Sequence, residues 1–385
     1  DGFRDSVECL GFNTNPWKID GDRDNDRMPD AYEEYCMSRG GWQNPNIFNH
    51  RYAILYTPYI YPGPFASEPG FWLDTAIMRD ILKFVYNYKD DYKRGFDPTT
   101  DEIAFLMSGF TPDGYDYLSY HLPMESLFRE KYYDDVVIDD NANKDSISSI
   151  INKISPYADT STFLFIFTFN HGHNFSDWNE PQEIPAVALC HDRTEMYPVD
   201  DPSAYIQDTE FSSLINQLPA AQRVIVMQQC FGGGFVDDFS TTNPKTAILT
   251  ASSYMQYAWG SERGQECTYA SGVGVVRCGH GEFLLTFFSA VKRYFAFHKC
   301  GGYNINFIEV EFYNADSDCN GLLSLSEIYH FITTHDAYYV NNPIHYEYAK
   351  EETQLDCDGN KVSQQGTKTQ DGDWDDDQDV LHLYF

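Results

Sequence analysis

Apolar residues fall into short dense runs along the chain, and between those runs the spacing changes to that of helices. Residues 52–56, 103–107, 162–169 (TFLFIFTF), 223–229 (RVIVMQQ) and 246–250 (TAILT) predict strands. Residues 73–88, 144–154, 209–217 and 282–297 predict the helices between them. The strand runs are apolar at consecutive positions and lack the alternation of a half-solvated sheet, so each is expected between two covering layers. Strands of this kind separated by helices imply a doubly wound, mainly parallel α/β sheet with helices on both faces and right-handed crossovers. Residues 49–300 are expected to form this domain. An acidic, Pro-containing segment over residues 1–48 precedes it, and a second acidic region over residues 301–385 follows and packs on it.

Fifty-nine acidic residues against twenty-six basic ones give a formal charge of −33, which points away from nucleic acid and anionic membranes and towards cations. No apolar run approaches the roughly 20 residues of a membrane helix, so no membrane span is expected. The sequence starts at Asp1 with neither an n-region nor an h-region, so any signal peptide is expected to have been removed. Nine cysteines (Cys9, Cys36, Cys190, Cys230, Cys267, Cys278, Cys300, Cys319 and Cys357) allow up to four disulfides and one free thiol. That count suits a secreted chain or another oxidising compartment.

In an open parallel sheet, reactive groups gather beyond the carboxyl ends of the strands. Here TFLFIFTF runs into Asn170-His171-Gly172-His173, and RVIVMQQ runs into Cys230-Phe231-Gly232-Gly233-Gly234. Neighbouring strands would bring His171 and Cys230 within hydrogen-bond reach, where an imidazole deprotonates a thiol near its own pKa. Gly172 permits a sharp turn and a close backbone approach, and its N–H with that of Cys230 would form an oxyanion hole. Gly232–Gly234 are expected to keep the cleft floor open. Taken singly, Cys230 reads as a buried structural thiol and His171 as a strand-end histidine; their joint placement favours catalysis.

The pattern resembles the legumain-like branch of the caspase, gingipain and separase group of cysteine peptidases, which places His-Gly after one hydrophobic strand and Cys after the next. The resemblance spans roughly residues 50–335. It includes the helix bearing Asp74, Asp139-Asp140-Asn141-Ala142-Asn143 before a helix, Ala251-Ser252-Ser253 after the fifth strand, and Gly279-His280-Gly281-Glu282-Phe283 opening a late helix. It implies a caspase-like sheet, peptide-bond hydrolysis through an acyl-enzyme, and a peptide or protein substrate. It also implies that Asn170, Gln228, Ser252, Ser253 and Tyr254 line the substrate pocket, with Trp259 close behind. Asn170 stands where the family usually has Asp, Gln228-Gln229 where it has Glu-Ala, and Phe71-Trp72 where it has Arg-His. The first pocket is therefore expected to be more apolar than an asparaginyl one.

Two acidic loops carry calcium-ligand spacing. Asp316, Asp318, Asn320, Leu322 (through its carbonyl) and Glu327 occupy EF-hand positions 1, 3, 5, 7 and 12, with Gly321 at the turn and a helix predicted over residues 326–334. Asp22, Asp24, Asp26, Met28 (again through its carbonyl) and Glu33 repeat the spacing, with Arg27 in the glycine position. A third stretch, Asp356-Cys357-Asp358-Gly359-Asn360, lacks a terminal glutamate. Calcium is the expected cofactor, with a structural role; the plainer reading of each loop is a solvated acidic surface. His171, His173 and His191 do not have the spacing of a zinc site. The leading expectation is a monomeric, calcium-stabilised cysteine endopeptidase. A transpeptidase or ligase using the same acyl-enzyme, and an inactive binding protein on a peptidase scaffold, are its rivals.

Overall fold

The computed structural model describes residues 50–57, 69–86, 88–90, 95–107, 139, 142–174, 187–190, 205–236, 238–239, 245–260, 266–270, 274–278, 281–292, 295–298, 308–311, 315, 323, 325–336 and 353–356. The main α/β body runs β1 (His50–Thr57), α1 (Pro69–Asp80), β2 (Ile103–Met107), α2 (Lys144–Ile154) and β3 (Thr162–Phe169). After β3 come a small antiparallel sheet of β4 (Gly172–Asn174), β5 (Val187–Cys190) and β6 (Tyr205–Gln207), then α3 (Asp208–Ile215), β7 (Gln222–Gln228) and β8 (Lys245–Thr250). The hairpin β9 (Glu266–Ala270) and β10 (Gly274–Cys278) precedes α4 (Glu282–Lys292); the pair β11 (Phe295–His298) and β12 (Ile308–Glu311), α5 (Leu325–His335) and β13 (Gln354–Asp356) complete the order.

Strands β13-β8-β7-β3-β1-β2 form one six-stranded sheet, parallel except for β13, which pairs antiparallel to β8. Every residue of β3 and of β7 is buried, as strands covered on both faces require. Alternate side chains enter two separate cores. Ala53, Leu55, Phe163, Phe165, Phe167, Val224 and Val226 meet Met78 of α1, Phe283 and Phe287 of α4, and Ile328 and Ile332 of α5. Ile54, Tyr56, Leu164, Ile166, Ile225 and Met227 meet Ile147 and Ile151 of α2, and Phe211 and Ile215 of α3. Each fully buried Phe or Ile contributes roughly 1.5–3 kcal/mol, so the two cores anchor the strand ends against which the site is built.

Local sequence explains several boundaries. Asn143 caps α2 by accepting from Ser146 N–H (2.8 Å), while Ser146 Oγ accepts from Asn143 N–H (2.9 Å). Its Ile residues then recur at helical spacing on the buried side. The helix expected over residues 73–88 divides: α1 ends at Asp80, and Ile81–Val85 widen into a π-turn in which Tyr86 N–H reaches Ile81 O (3.2 Å). The helix expected over residues 282–297 stops at Lys292, because Phe295–His298 pairs with Ile308–Glu311 as β11 and β12. Phe295 and Phe297 fit either period, and strand pairing decided between them. The segment 1–48 lies outside the described residues; beyond residue 300, α5 shares a core with α4 and β13 extends the main sheet. Among the described residues no helix is long and apolar enough to cross a membrane.

Candidate functional site

β3 and β7 are adjacent and parallel, with Phe169 paired to Gln228 at their carboxyl ends. The pairing continues one residue further, where Asn170 N–H donates to Gln228 O (3.2 Å). The chain after β3 therefore runs beside the chain after β7, bringing His171-Gly172 alongside Cys230. Gly172 is the point of closest approach. A Cβ there would run into the carbonyl oxygen of Cys230 and would stand 2.8 Å from its carbonyl carbon and 3.2 Å from its nitrogen. Only glycine allows this approach.

Cys230 is half-buried and in no disulfide, and its thiol donates to the carbonyl of Ala258 (3.8 Å). The next residue, Phe231, has φ 61° and ψ 19°; among the described non-glycine residues no other has positive φ. A left-handed phenylalanine costs about 1–2 kcal/mol, and such strain concentrates at functional sites. It turns the chain abruptly from β7 into the short 3₁₀ turn Gly232–Phe235, leaving Cys230 at the tip of the sheet. Phe231 N–H donates to Gln256 O (2.7 Å), tying this turn to the segment after β8. The glycines expected to hold a cleft open are buried, and they serve close packing instead. At Gly233 a Cβ would lie 2.9 Å from both Ser253 Cα and Tyr254 N.

His171 is half-buried; its N–H donates to Asn170 Oδ1 (2.7 Å) and its ring makes an edge-to-face contact with Phe71 of α1, centroids 5.2 Å apart. His173 stacks on Tyr205 (5.2 Å), and His191 lies outside the described residues. Asn170 and Gln228 are both buried. The Gln228 amide lies against Gly281, whose N–H donates to Asp74 Oδ2 (2.9 Å), so α1, α4 and β7 meet directly under the site. Gln229 Oε1 accepts from Thr168 Oγ1 (3.0 Å). Among the described residues Gln228 Oε1 and Gln229 Nε2 have no hydrogen-bond partner.

Ser252 and Ser253 are buried as well, Ser252 Oγ donating to Gln229 O (3.0 Å), and Tyr254 is half-buried. In the segment 251–260 that meets Cys230 and Phe231, Met255 (56% exposed) and Tyr257 (53%) face solvent, and the sequence did not single them out. Tyr257 packs on Phe231 (5.1 Å) and on Trp259 (6.4 Å), forming a continuous aromatic ledge next to the thiol. Their exposure comes from the irregular path of residues 251–260, which no periodicity encodes. Of the calcium ligands, Glu327 lies in the first turn of α5; Asp316, Asp318, Asn320, Leu322, Asp22, Asp24, Asp26, Met28 and Glu33 lie outside the described residues. No family model matches the chain, and no curated protein matches it.

Proposed function

We propose that the chain is a cysteine endopeptidase of the legumain-like, caspase-fold kind, with Cys230 as nucleophile and His171 as general base. The observation that carries this is the seating of Gly172 against the Cys230 backbone, which brings the residue after the histidine to the cysteine at the ends of adjacent parallel strands. In the reaction the thiol gives its proton to the imidazole, and the thiolate forms a C–S bond to the scissile carbonyl. The carbonyl oxygen takes the negative charge and is stabilised by the N–H groups of Gly172 and Cys230. Collapse breaks the C–N bond, and the imidazolium protonates the departing amine. Water then gives a proton to His171 and attacks the thioester, releasing the acid and restoring the thiol. Without substrate the Cys230 thiol donates to the Ala258 carbonyl (3.8 Å); hydrogen bonds between catalytic groups commonly tighten only when substrate is bound.

The ledge of Phe231, Tyr257 and Trp259 supports a substrate with a large apolar side chain near the scissile bond, in keeping with neutral Asn170 and Gln228. Calcium, held by the loop ending at Glu327, stabilises the fold in this reading. Support comes from α5, which carries Glu327 in its first turn and packs Ile328 and Ile332 into the core shared with α4. The deciding experiment is labelling with an electrophilic peptide probe, with and without calcium. Wild type is expected to be labelled at Cys230, and Cys230→Ala and His171→Ala to lose labelling; a wild type that never reacts at Cys230 ends the proposal. Chelation is expected to lower the melting temperature, with Glu327→Ala reproducing part of the loss.

A further inference from the structure

We propose that Phe71 is the positioning residue for His171, so that an aromatic ring, itself held by the end of β1, sets the orientation of the imidazole. This rests on the assignment of His171 as the base. The backbone around His171 is already fixed, by the N–H bond to Asn170 Oδ1 on one side and by the start of β4 at Gly172 on the other. What remains to be set is the rotation of the ring.

Phe71 meets the imidazole at 5.2 Å between centroids and 71° between planes, inside the range of directional aromatic pairs. Its ring is in turn clamped against Phe169, the last residue of β3, at 4.3 Å. The backbone beneath it is tied down too. Phe71 O accepts from Thr75 Oγ1 (2.7 Å), and Thr75 Oγ1 lies 2.5 Å from Thr57 Oγ1 at the carboxyl end of β1, with both threonines fully buried. Two strands thus converge on one ring: β1 through Thr57 and Thr75, and β3 through Phe169. An imidazole that rotated away would lose the edge-to-face contact, so the contact favours one orientation of the ring.

The test uses the full-length chain and a peptidyl electrophile, with labelling of Cys230 followed across pH for wild type, Phe71→Leu, Phe71→Tyr and His171→Ala. Leucine keeps the packing on Phe169 but removes the aromatic face. Phe71→Leu is expected to slow labelling by roughly three- to ten-fold, the cost of re-ordering one freed side chain, and to move its pH profile towards that of His171→Ala. Phe71→Tyr is expected to stay within about two-fold of wild type, since its ring is equivalent. If His171→Ala abolishes labelling while Phe71→Leu keeps both the wild-type rate and the wild-type pH profile, the dyad stands and the positioning role is overturned. A wild type unreactive at Cys230 removes the dyad, and Phe71 with it. A second measurement does not depend on any variant folding. His171 ring protons in the wild-type NMR spectrum are expected to show the ring-current displacement of a nearby phenyl group, and positions matching an unstructured histidine overturn the proposal.

Discussion

Two buried polar clusters lie on the same sheet and are made of opposite materials. Beside β2, the outermost described strand on one side of the sheet, Arg79, Asp90, Asp101 and Asp139 are charged or chargeable. Arg79 pairs with Asp90 and lies 5.6 Å over the Phe105 ring, and Asp139 Oδ2 accepts from Phe105 N–H (2.7 Å) where a further strand would otherwise pair. At the ends of β3 and β7 the polar groups around Cys230 and His171 are amides and hydroxyls: Asn170, Gln228, Gln229, Thr168 and Ser252, with Asp74 bound to Gly281 beneath. In the first cluster Asp139 holds the Phe105 N–H of β2, and Arg79 offsets Asp90. The second, among the described residues, sets amides and hydroxyls around a thiol and an imidazole.

The largest expected effect breaks the second cluster. Gly172→Ala drives a methyl group into the Cys230 backbone, and we expect a loss of at least about 3 kcal/mol of unfolding free energy together with loss of Cys230 labelling. Normal denaturant unfolding and labelling of that variant would show that the two chain segments are not in contact.

Next comes the charged cluster. Arg79→Met removes the cation paired with Asp90 and is expected to cost about 3–5 kcal/mol in denaturant unfolding. An unchanged unfolding free energy in that variant would show that the pair adds nothing to stability.

Asp139 sharpens the contrast by pH. Burial pushes its carboxyl up to about 8; the Phe105 N–H draws it down, Asp90 and Asp101 reinforce the rise, and Arg79 opposes it. Unfolded, the group ionises near 4. Between those values the folded chain holds a proton that the unfolded chain has lost, so stability is full below about 4, falls as pH rises, and levels off above about 8. One such proton accounts for at most roughly 1.4 kcal/mol per pH unit, and Asp139→Asn is expected to remove that slope from thermal or urea melts. Parallel curves for wild type and variant would exclude a titrating Asp139.

The smallest effect belongs to the amides. Thr168→Val removes the hydroxyl that binds Gln229 Oε1 and should cost about 1 kcal/mol in urea unfolding, with no dependence on pH. A pH-dependent loss would mean that the site is not electrically quiet.

The central strands were legible because continuous apolar runs such as TFLFIFTF have one stable place, between two covering layers. For the same reason the expected bounds of β2, α2 and β3 match the structure to the residue. The end of α4 was not legible, since Phe295-Ala296-Phe297 suits a helix or a strand until β12 offers a partner. At the site, Cys230, His171 and Gly172 stood out as reactive or permissive residues at strand ends. Phe71 was legible only as a departure from the family's Arg-His; its contact with His171 was not, because it joins a helix to a strand end about a hundred residues later in the chain. Phe231 was equally silent: nothing in the residue type announces a left-handed backbone.

The amino-acid sequence by itself determined the class of fold, the strands that end in reactive groups, and the acidic charge that favours cations. These are local properties, readable from periodicity, composition and residue chemistry. Tertiary structure alone decided that Gly172 abuts Cys230, that Asn170 and Gln228 turn inward, that Met255 and Tyr257 face water, and that Phe71 meets His171. Each of these joins residues far apart in the chain, and the pairing exists only once burial of the two cores has fixed the strand order.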